Sequence, residues 1–403
     1  MKRIIYMIMG ISLIVLYLKN SDMKEVKFIE RLFSNTFIDE NLTYYIVSIH
    51  DSKYNIDIEG VIDNVDKIQI KIPYHISSFR KIDLDAYREI AILDNLYSAE
   101  NESNSKLIFS YPKQIGLSGD GYINATLEID DENSTIPDKK FKTKQLEIEK
   151  SNEYTLAKFN YPNNLLFKQH GTLEVQVISG IKDRMYGIRD NSENMQSHNF
   201  IYYPIISPIT GKIWLNNNLG AEYSNVNNSF WANNPFQQAK SIKDINAYGS
   251  LFQWGRKADG HEFRISPIIP FENINTISDN PDHNFYITSN KYPYDWRTNE
   301  NDALWNNNSI NNVCPQGWRL PSKSELENEL KKNLITNNNH LKFTMAGYRL
   351  KEDSSILSEG LYGNYWTKDV MNSYAYFLLF NHTYTGISNI YKSAGFSVRC
   401  IKN

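Results

Sequence analysis

The sequence predicts a multidomain protein in which an N-terminal all-β region precedes a C-terminal α+β domain. Two observations support this division. All seven Trp and both Cys lie after residue 205, whereas the earlier residues repeatedly alternate polar with apolar side chains. Such a change in composition marks a boundary between modules of different construction. With 403 residues, 41% of them hydrophobic and 22% charged, the chain can bury two or three ordinary cores.

Residues 1–20 have the features of an export signal or an N-terminal membrane anchor. Lys2 and Arg3 precede an apolar run from Ile4 to Leu18, like the n-region and h-region of a signal peptide. The run is shorter than the ~20 residues of a membrane span, which favours cleavage. Retention as an anchor stays open, because no A-x-A site follows. Either alternative exports the body of the protein to the cell surface, the periplasm or the medium, with membrane contact only through this segment.

Residues 24–203 show the period-two pattern of strands with one apolar face. The runs are Ile68 to Ile72, Ile123 to Ile129 and Leu173 to Val177. Turn-forming clusters separate them, which indicates an antiparallel, Ig-like sandwich. We predict a module at 24–115 and a second module, or a continuation of the first, at 116–203. One helix is predicted at Asp83 to Leu96, and a polar connector at 190–204.

Residues 205–403 combine helical and strand patterns. Ser322 and Glu325 form a capping box after Pro321, and Leu326, Leu330 and Leu334 follow at four-residue spacing. A second helix is predicted from Asp244 to Trp254. Alternating aromatic residues between 365 and 398 indicate short antiparallel strands, so we predict an α+β domain.

Export changes the interpretation of the two cysteines. In an oxidising compartment, a disulfide between Cys314 and Cys400 is the default for an even, small number of cysteines. A metal site or a catalytic thiol is the alternative. A metal site needs more Cys or His nearby, a reactive thiol needs a paired base, and the sequence shows neither.

An ordered series of motifs resembles a known family. WLNNNLGA, AYGSLFQWGRKADGHE, DWR with NDALW, VCPQGWRLPSKSEL, AGYR, YWT and GFSVRCIK are similar to the Fibrobacter succinogenes major paralogous domain. The resemblance covers about Gly211 to Lys402. It implies a C-type-lectin-like α+β fold, related to that of formylglycine-generating enzymes, in a family with no well-defined activity. HGTLEVQVISGIKDRMYG also looks like the β-module that often precedes this domain.

Departures from the related families limit what the resemblance implies. Formylglycine-generating enzymes use a reactive cysteine pair with copper, whereas Cys314 and Cys400 occupy the positions of the structural pair. Calcium-dependent lectins carry a Trp-Asn-Asp triplet and often Glu-Pro-Asn, and both are missing from this sequence. Neither the enzyme activity nor calcium-dependent sugar binding is therefore carried over.

The motif residues suggest fold rather than chemistry. They are Trp254, Arg256, Trp318, Arg319, Tyr348, Arg349, Trp366 and Arg399. Trp and Arg in Gly-rich turns usually form stacked, hydrogen-bonded structure, so we expect structural roles. Four acids on predicted loops could hold calcium: Asp259, Glu262, Asp295 and Asp302. Because loop acids more often cap turns, we expect no cofactor, with calcium as the alternative.

A stretch rich in Tyr and Asn is the predicted ligand face. His382, Tyr384, Asn389 and Tyr391 are the candidates, because Tyr and Asn bind sugars and peptides at low entropic cost. The alternative is an ordinary solvated strand face. The net charge of −3 supplies no attraction for nucleic acid.

Three functions follow from these features. A non-catalytic adhesion or recognition protein for a carbohydrate or protein at the cell surface is favoured. The alternatives are a structural component of a surface layer or fibre, and a secreted enzyme with no linear motif. No catalytic residue is predicted, although Glu262 or Asp295 with a raised pKa in a closed pocket would favour the enzyme.

Overall fold

The computed structural model of the chain describes residues 37–38, 41–52, 56–63, 67–76, 81–92, 96–97, 106–130, 140–143, 145–147, 153–164, 169–187, 198–207, 209–273, 278–290, 292, 294–330 and 340–403. It is mostly β, with 46% strand and 7% helix in many small sheets, consistent with an all-β or sandwich-like class. No helix among these residues is long and apolar enough to cross a membrane. The predicted export segment at 1–20 and most of the predicted connector lie outside the described residues.

The chain divides into two compact units. The first comprises the described parts of Met1–Ser48, Ile58–Leu146 and Asn152–Ile178. The second comprises those of Ile49–Asp57, Glu147–Ser151 and Ser179–Asn403. The division at 178/179 falls before the boundary predicted near residue 204.

Two larger sheets dominate the first unit. One has the order β1 (Phe37–Ile38), β6 (Ile68–Ile76), β12 (Gly119–Asp130), β10 (Lys106–Tyr111), β8 (Tyr87–Ile92). The other has the order β15 (Glu153–Asn164), β16 (Gln169–Ile178), β2 (Asn41–Val47), in which β16 and β2 are parallel. One smaller sheet pairs β11 (Gln114–Leu117) with β7 (Ile82–Leu84). Another has the order β5 (Val61–Asp63), β13 (Lys140–Thr143), β9 (Leu96–Tyr97). A further small sheet, whose residues belong mostly to the second unit, has the order β14 (Leu146–Glu147), β3 (Ile49–Asp51), β4 (Ile56–Ile58).

The predicted period-two runs form the core of the first unit. Ile70 and Ile72 are buried while Gln69 and Lys71 are exposed. The inward positions of the other two runs are also buried: Ile123, Ala125, Leu127, Leu173, Val175 and Val177. Phe109 of β10 packs on Phe159 of β15, with ring centroids 5.5 Å apart, so side chains from both large sheets share one core. Each fully buried aliphatic or Phe side chain contributes about 1.5–3 kcal/mol.

The helix predicted at Asp83 to Leu96 is wrong. Of the described residues in this span, the strand residues belong to β7, β8 and the start of β9, and none is helical. β8 pairs antiparallel with β10 from Tyr87↔Tyr111 to Ile92↔Lys106. Pairing with a neighbouring strand overrides the local helical pattern.

Strands on both sides of the predicted 115/116 division pair in one sheet, because β12 lies between β6 and β10.

The second unit contains several short sheets. One has the order β19 (Pro204–Ile206), β20 (Ile213–Leu215), β31 (Ile401–Lys402), β24 (Trp318–Arg319). Another has the order β21 (Phe252–Gln253), β30 (Gly395–Phe396), β25 (Tyr348–Arg349), β26 (Ile356–Leu357). A third has the order β27 (Gly363–Met371), β28 (Tyr374–Phe380), β29 (Thr385–Tyr391). Two further pairs are β17 (Ile181–Lys182) with β18 (Ile201–Tyr202), and parallel β22 (Ile268–Pro270) with β23 (Tyr286–Thr288).

Helical structure in the second unit is limited. Among the described residues of this unit, the α-helices are α1 (Ser229–Asn233) and α2 (Lys323–Leu330), and 3-10 turns lie at Glu222–Ser224, Ile245–Ala247 and Phe271–Asn273. The predicted capping box begins α2. The Ser322 amide donates to Glu325 Oε2 at 2.8 Å, and the Glu325 amide donates to Ser322 Oγ at 3.2 Å. Leu326 is fully buried, as the predicted apolar stripe requires, whereas Leu334 lies outside the described residues.

The helix predicted at Asp244 to Trp254 is wrong beyond its first turn. Only the 3-10 turn Ile245–Ala247 forms, and β21 starts at Phe252. Gly249 has a φ of +70°, and the next two amides bond elsewhere: Ser250 to the Leu219 carbonyl and Leu251 to the Glu262 carbonyl. These long-range bonds replace the bonds that would have continued a helix.

The predicted disulfide is confirmed. Cys314 and Cys400 are bonded, with Cα atoms 5.9 Å apart and 86 positions between them in sequence. Both cysteines are fully buried among the Trp-rich core of the second unit. The bridge therefore connects the loop before β24 to the segment that leads into β31.

Candidate functional site

A cluster of tyrosines lies at one end of the β27–β28–β29 sheet. Tyr374 pairs with Tyr391 across β28 and β29, and Tyr376 pairs with Asn389 two positions along, so all four share one sheet face. The Tyr374 and Tyr391 rings stack with centroids 4.6 Å apart, and their hydroxyls are 3.0 Å apart. Two of the predicted ligand residues, Asn389 and Tyr391, therefore belong to one continuous surface.

A loop distant in sequence adds two more rings to this surface. Tyr294 packs on Tyr391 at 4.6 Å between centroids, and Tyr292 contacts Tyr294 edge-on while remaining 77% exposed. Tyr294 has a φ of +55°, a conformation uncommon for a residue other than glycine. We call Tyr292, Tyr294, Tyr374, Tyr376 and Tyr391 the tyrosine face. Local backbone strain of this kind clusters at binding sites, although it does not by itself assign one.

Two lysines lie over the tyrosine face. Lys351 Nζ is 4.2 Å from the Tyr294 centroid, and Lys323 Nζ is 4.5 Å from the Tyr376 centroid. The hydrogen bond with Tyr374, with further contributions from burial and neighbouring tyrosines, raises the pKa of Tyr391 to about 12. The Tyr391 hydroxyl is therefore protonated at neutral pH and can both donate and accept hydrogen bonds.

The structure does not bring the other two predicted ligand residues to this surface. His382 and Tyr384 lie in the turn between β28 and β29, beyond the Phe380↔Thr385 pair, whereas Tyr391 lies at the opposite end of the hairpin. The six-residue offset corresponds to about 20 Å. Tyr384 packs across Gly386 and is half exposed. The four candidates therefore lie at two separate ends of the hairpin. The end that contains Tyr391 has the larger aromatic surface.

The tryptophan and arginine motif residues lie mainly in the core, where they bond the backbone. Trp254 Nε1 donates to the Thr367 carbonyl at 3.0 Å, and Trp366 Nε1 donates to the Phe252 carbonyl at 2.7 Å. The Arg256, Arg349 and Arg399 guanidinium groups are buried and donate to loop carbonyls. Trp318 is buried, Arg319 pairs with Glu325 in the first turn of α2, and Tyr348 packs edge-on against Phe396. These contacts hold loops together and leave little of the eight side chains for a ligand.

The four acids considered for calcium are not gathered in one site. Asp259 and Glu262 flank His261, whose Nδ1 lies 2.7 Å from Asp259 Oδ1 and 3.3 Å from Glu262 Oε2. Asp302 instead pairs with Lys392 at 2.6 Å, and Asp295 accepts from the Trp296 amide at 2.7 Å. The candidate ligand set identified among the described residues, Asp259, His261 and Glu262, contains one residue that the sequence did not suggest.

The hydrogen bonds of His261 favour a bonded core cluster over a calcium site. Its Nε2 accepts from the Gln253 amide at 3.1 Å, so Nδ1 carries the proton of the neutral ring and points to Asp259. Burial and the nearby Arg256 lower the pKa of His261 to about 3. Arg256 Nε also donates to Asp259 Oδ2 at 2.8 Å. The Nδ1 proton and Arg256 already occupy positions that a cation would take.

Two buried acids have raised pKa values. Burial raises the pKa of Glu262 to about 7 and the pKa of Asp295 to about 7. Such shifts occur at catalytic acids, but also in structural networks. Glu262 is fully buried, with its Oε1 3.3 Å from His198 Nε2, and Asp295 is only 3% exposed. Neither carboxylate reaches the surface, as a general acid in contact with substrate would.

Comparison of the chain with protein-family models, curated proteins and solved structures gives no match.

Proposed function

We propose that this chain is an exported, non-catalytic recognition protein, which binds a carbohydrate or protein ligand at the cell surface through a C-terminal C-type-lectin-like domain. On this proposal the Ig-like β region serves as a stalk. The observation that carries it is the tyrosine face, where rings from two strands and a separate loop stack into one partly exposed surface. The family resemblance and the export segment support it from the sequence.

The chemistry of this surface suits recognition. Tyrosine rings supply large contact area with few rotatable bonds, and their hydroxyls hydrogen-bond to polar ligands. Met371 adds a further apolar side chain and is 42% exposed. Lys351 and Lys323 lie over the rings and place positive charge beside them. A ligand with both an apolar face and hydrogen-bonding groups would therefore find complementary partners here.

The test is an array of glycans and surface proteins probed with the full chain. We expect the double variant Tyr374→Ala with Tyr391→Ala to weaken binding by about 30-fold or more, as removal of an aromatic hot spot does. Tyr384→Ala is the matched control, because it removes a half-exposed tyrosine from the other end of the same hairpin. Equal binding by the wild type and a folded double variant would remove the tyrosine face from consideration.

A secreted enzyme is the second candidate, favoured by the raised pKa of Glu262 and of Asp295. Their burial opposes it, because a general acid must come within hydrogen-bond reach of its substrate. Hydrolysis of an array glycan, lost in Glu262→Gln or Asp295→Asn, would support this candidate over binding alone.

A further inference from the structure

A cleft of about 340 Å³ lies in the second unit, and its lining includes none of the tyrosine-face residues. Its volume is at the small end of the range for ligand pockets, so it suits a small molecule or one unit of a polymer. Phe263 and Ser250 are buried in its wall, and Ile245 and Ile265 line it while remaining 72% and 65% exposed. The lining therefore combines apolar with polar side chains.

The shape of the wall depends on two glycines with positive φ. A Cβ on Gly249 would lie 2.4 Å from the Leu219 carbonyl oxygen, and one on Gly220 would lie 2.1 Å from Ser250 Oγ. Both positions line the cleft and exclude any side chain. The recess at these two positions therefore depends on the absence of a side chain.

The polar groups of the cleft are available to a ligand. The Ser250 hydroxyl and the Asn227 side-chain amide have no hydrogen-bond partner among the described residues, although Ser250 is only 4% exposed. Glu222 Oε2 accepts from Asn228 Nδ2 at 2.9 Å, and no described residue bonds its Oε1. A hydroxyl without a protein partner in the wall of a cleft can be bonded by water or by a ligand.

The charge in the cleft excludes an anionic ligand. Arg264 lines the wall, but its Nε donates to the Gly249 carbonyl, Nη2 donates to the Ala346 carbonyl, and Nη1 pairs with Glu359 at 2.7 Å. Three of the five guanidinium N–H groups are thus bonded, and Glu359 balances the charge of Arg264. The Glu222 carboxylate remains as the unbalanced charge, and it would repel a carboxylate or sulfate.

We propose that this cleft is a binding site for a neutral saccharide unit. Its hydroxyls would donate to Glu222 and exchange hydrogen bonds with Asn227 and Ser250, while the C–H face of the ring would pack on Phe263 and the two isoleucines. The inference rests on the proposed recognition function and assigns it a second site with a defined ligand class. It needs no metal and no movement of the chain.

Titration calorimetry of the full chain with cellobiose, maltose, lactose and chitobiose tests this proposal, with glucuronic acid as the acidic probe. We expect at least one neutral sugar to bind and glucuronic acid to bind at least about tenfold more weakly, because of Glu222. Ser250→Ala and Asn227→Ala should each weaken binding by about 2- to 12-fold, the loss of one hydrogen bond. Asn306→Ala, an exposed amide outside the cleft, is the control and should leave affinity unchanged.

Three results would overturn the cleft assignment. The first is that no probe binds at concentrations up to about 10 mM. The second is that glucuronic acid binds as tightly as the neutral sugars. The third is that both cleft variants keep the wild-type affinity, with their folding checked by thermal melting. Sugar binding lost in Tyr374→Ala with Tyr391→Ala but kept in the cleft variants would reject the cleft and leave the proposed function standing. Binding of proteins but of no glycan on the array would likewise reject the cleft assignment and leave the proposed function standing.

Discussion

Glu262 shows how burial sets the behaviour of a single residue. Its carboxyl group accepts from the Gly260 amide at 3.0 Å and lies 3.3 Å from both His198 Nε2 and His261 Nδ1. The sequence identified Glu262 only as an acid on a loop, because nothing in the local pattern reveals that the loop folds inward. Its partner His198 was missed for the same reason: it is 64 positions away along the chain.

The titration of Glu262 predicts a pH-dependent stability. Burial raises its pKa from 4.5 to about 7, so between these values the folded protein keeps a proton that the unfolded chain releases. Its stabilising contribution is therefore complete below pH 4.5 and is lost as the pH rises through 7, by at most about 3 kcal/mol. Glu262→Gln keeps an oxygen for the Gly260 amide and removes the titration. We expect the stability difference between wild type and variant to shift in favour of the variant as pH rises.

Urea denaturation of both proteins at several pH values between 5 and 8 measures this difference. Comparing the two proteins matters because His261, with its pKa lowered to about 3, contributes stability that is lost as the pH falls. That opposite trend is present in both proteins, so most of it is removed in the difference, although His261 contacts residue 262. Asp295 titrates in the same direction as Glu262 and also remains in both. Parallel stability curves for the two proteins would contradict the assignment.

At the scale of elements, the sequence predicted structure correctly where a side chain hydrogen-bonds to residues close to it in the chain. The Ser322 and Glu325 capping box was predicted from a four-residue pattern, and both of its bonds are present at the start of α2. The predicted helix from Asp244 to Trp254 failed because Gly249 turns the chain toward Leu219, a partner 30 positions earlier. The tyrosine face shows the same division: Asn389 and Tyr391 were chosen because their stretch is rich in Tyr and Asn, whereas Tyr292 and Tyr294 come from a loop that no pattern in the sequence connects to them.

The turn at Gly249 predicts a large cost for any side chain there. Gly249→Ala places a Cβ in a left-handed conformation and 2.4 Å from the Leu219 carbonyl oxygen. Gly317→Ala is the matched control, because Gly317 has a φ of +79° with nothing within 4 Å of the new Cβ. The control should lose about 1–2 kcal/mol from backbone strain, and Gly249→Ala about 3 kcal/mol or more. Equal losses in chemical denaturation would show that the close approach to Leu219 does not constrain the turn.

At the scale of the whole molecule, the β-rich class and the disulfide were predicted, but the division into many small sheets was not. Residues such as Arg349 and Gly395 pair across two-residue strands that are 46 positions apart. Strands that short carry no periodicity, so their partners are set by tertiary packing alone. The tryptophans that indicated a separate module lie in the second unit, where the indole groups of Trp254, Trp296 and Trp366 donate to backbone carbonyls distant in sequence.

Because all seven tryptophans lie between residues 214 and 366, selectively excited indole fluorescence reports unfolding of the second unit. The disulfide closes a long loop in that unit, and the double variant Cys314→Ser with Cys400→Ser should reduce its stability by about 4–5 kcal/mol in the chain-entropy model. Denaturation followed by tryptophan fluorescence measures the loss. A reductant should lower the wild type to the level of the variant and leave the variant unchanged, since it contains no other cysteine. A variant with the same midpoint as the oxidised wild type would show that packing of the indole-rich core, rather than the covalent bridge, limits unfolding of this unit.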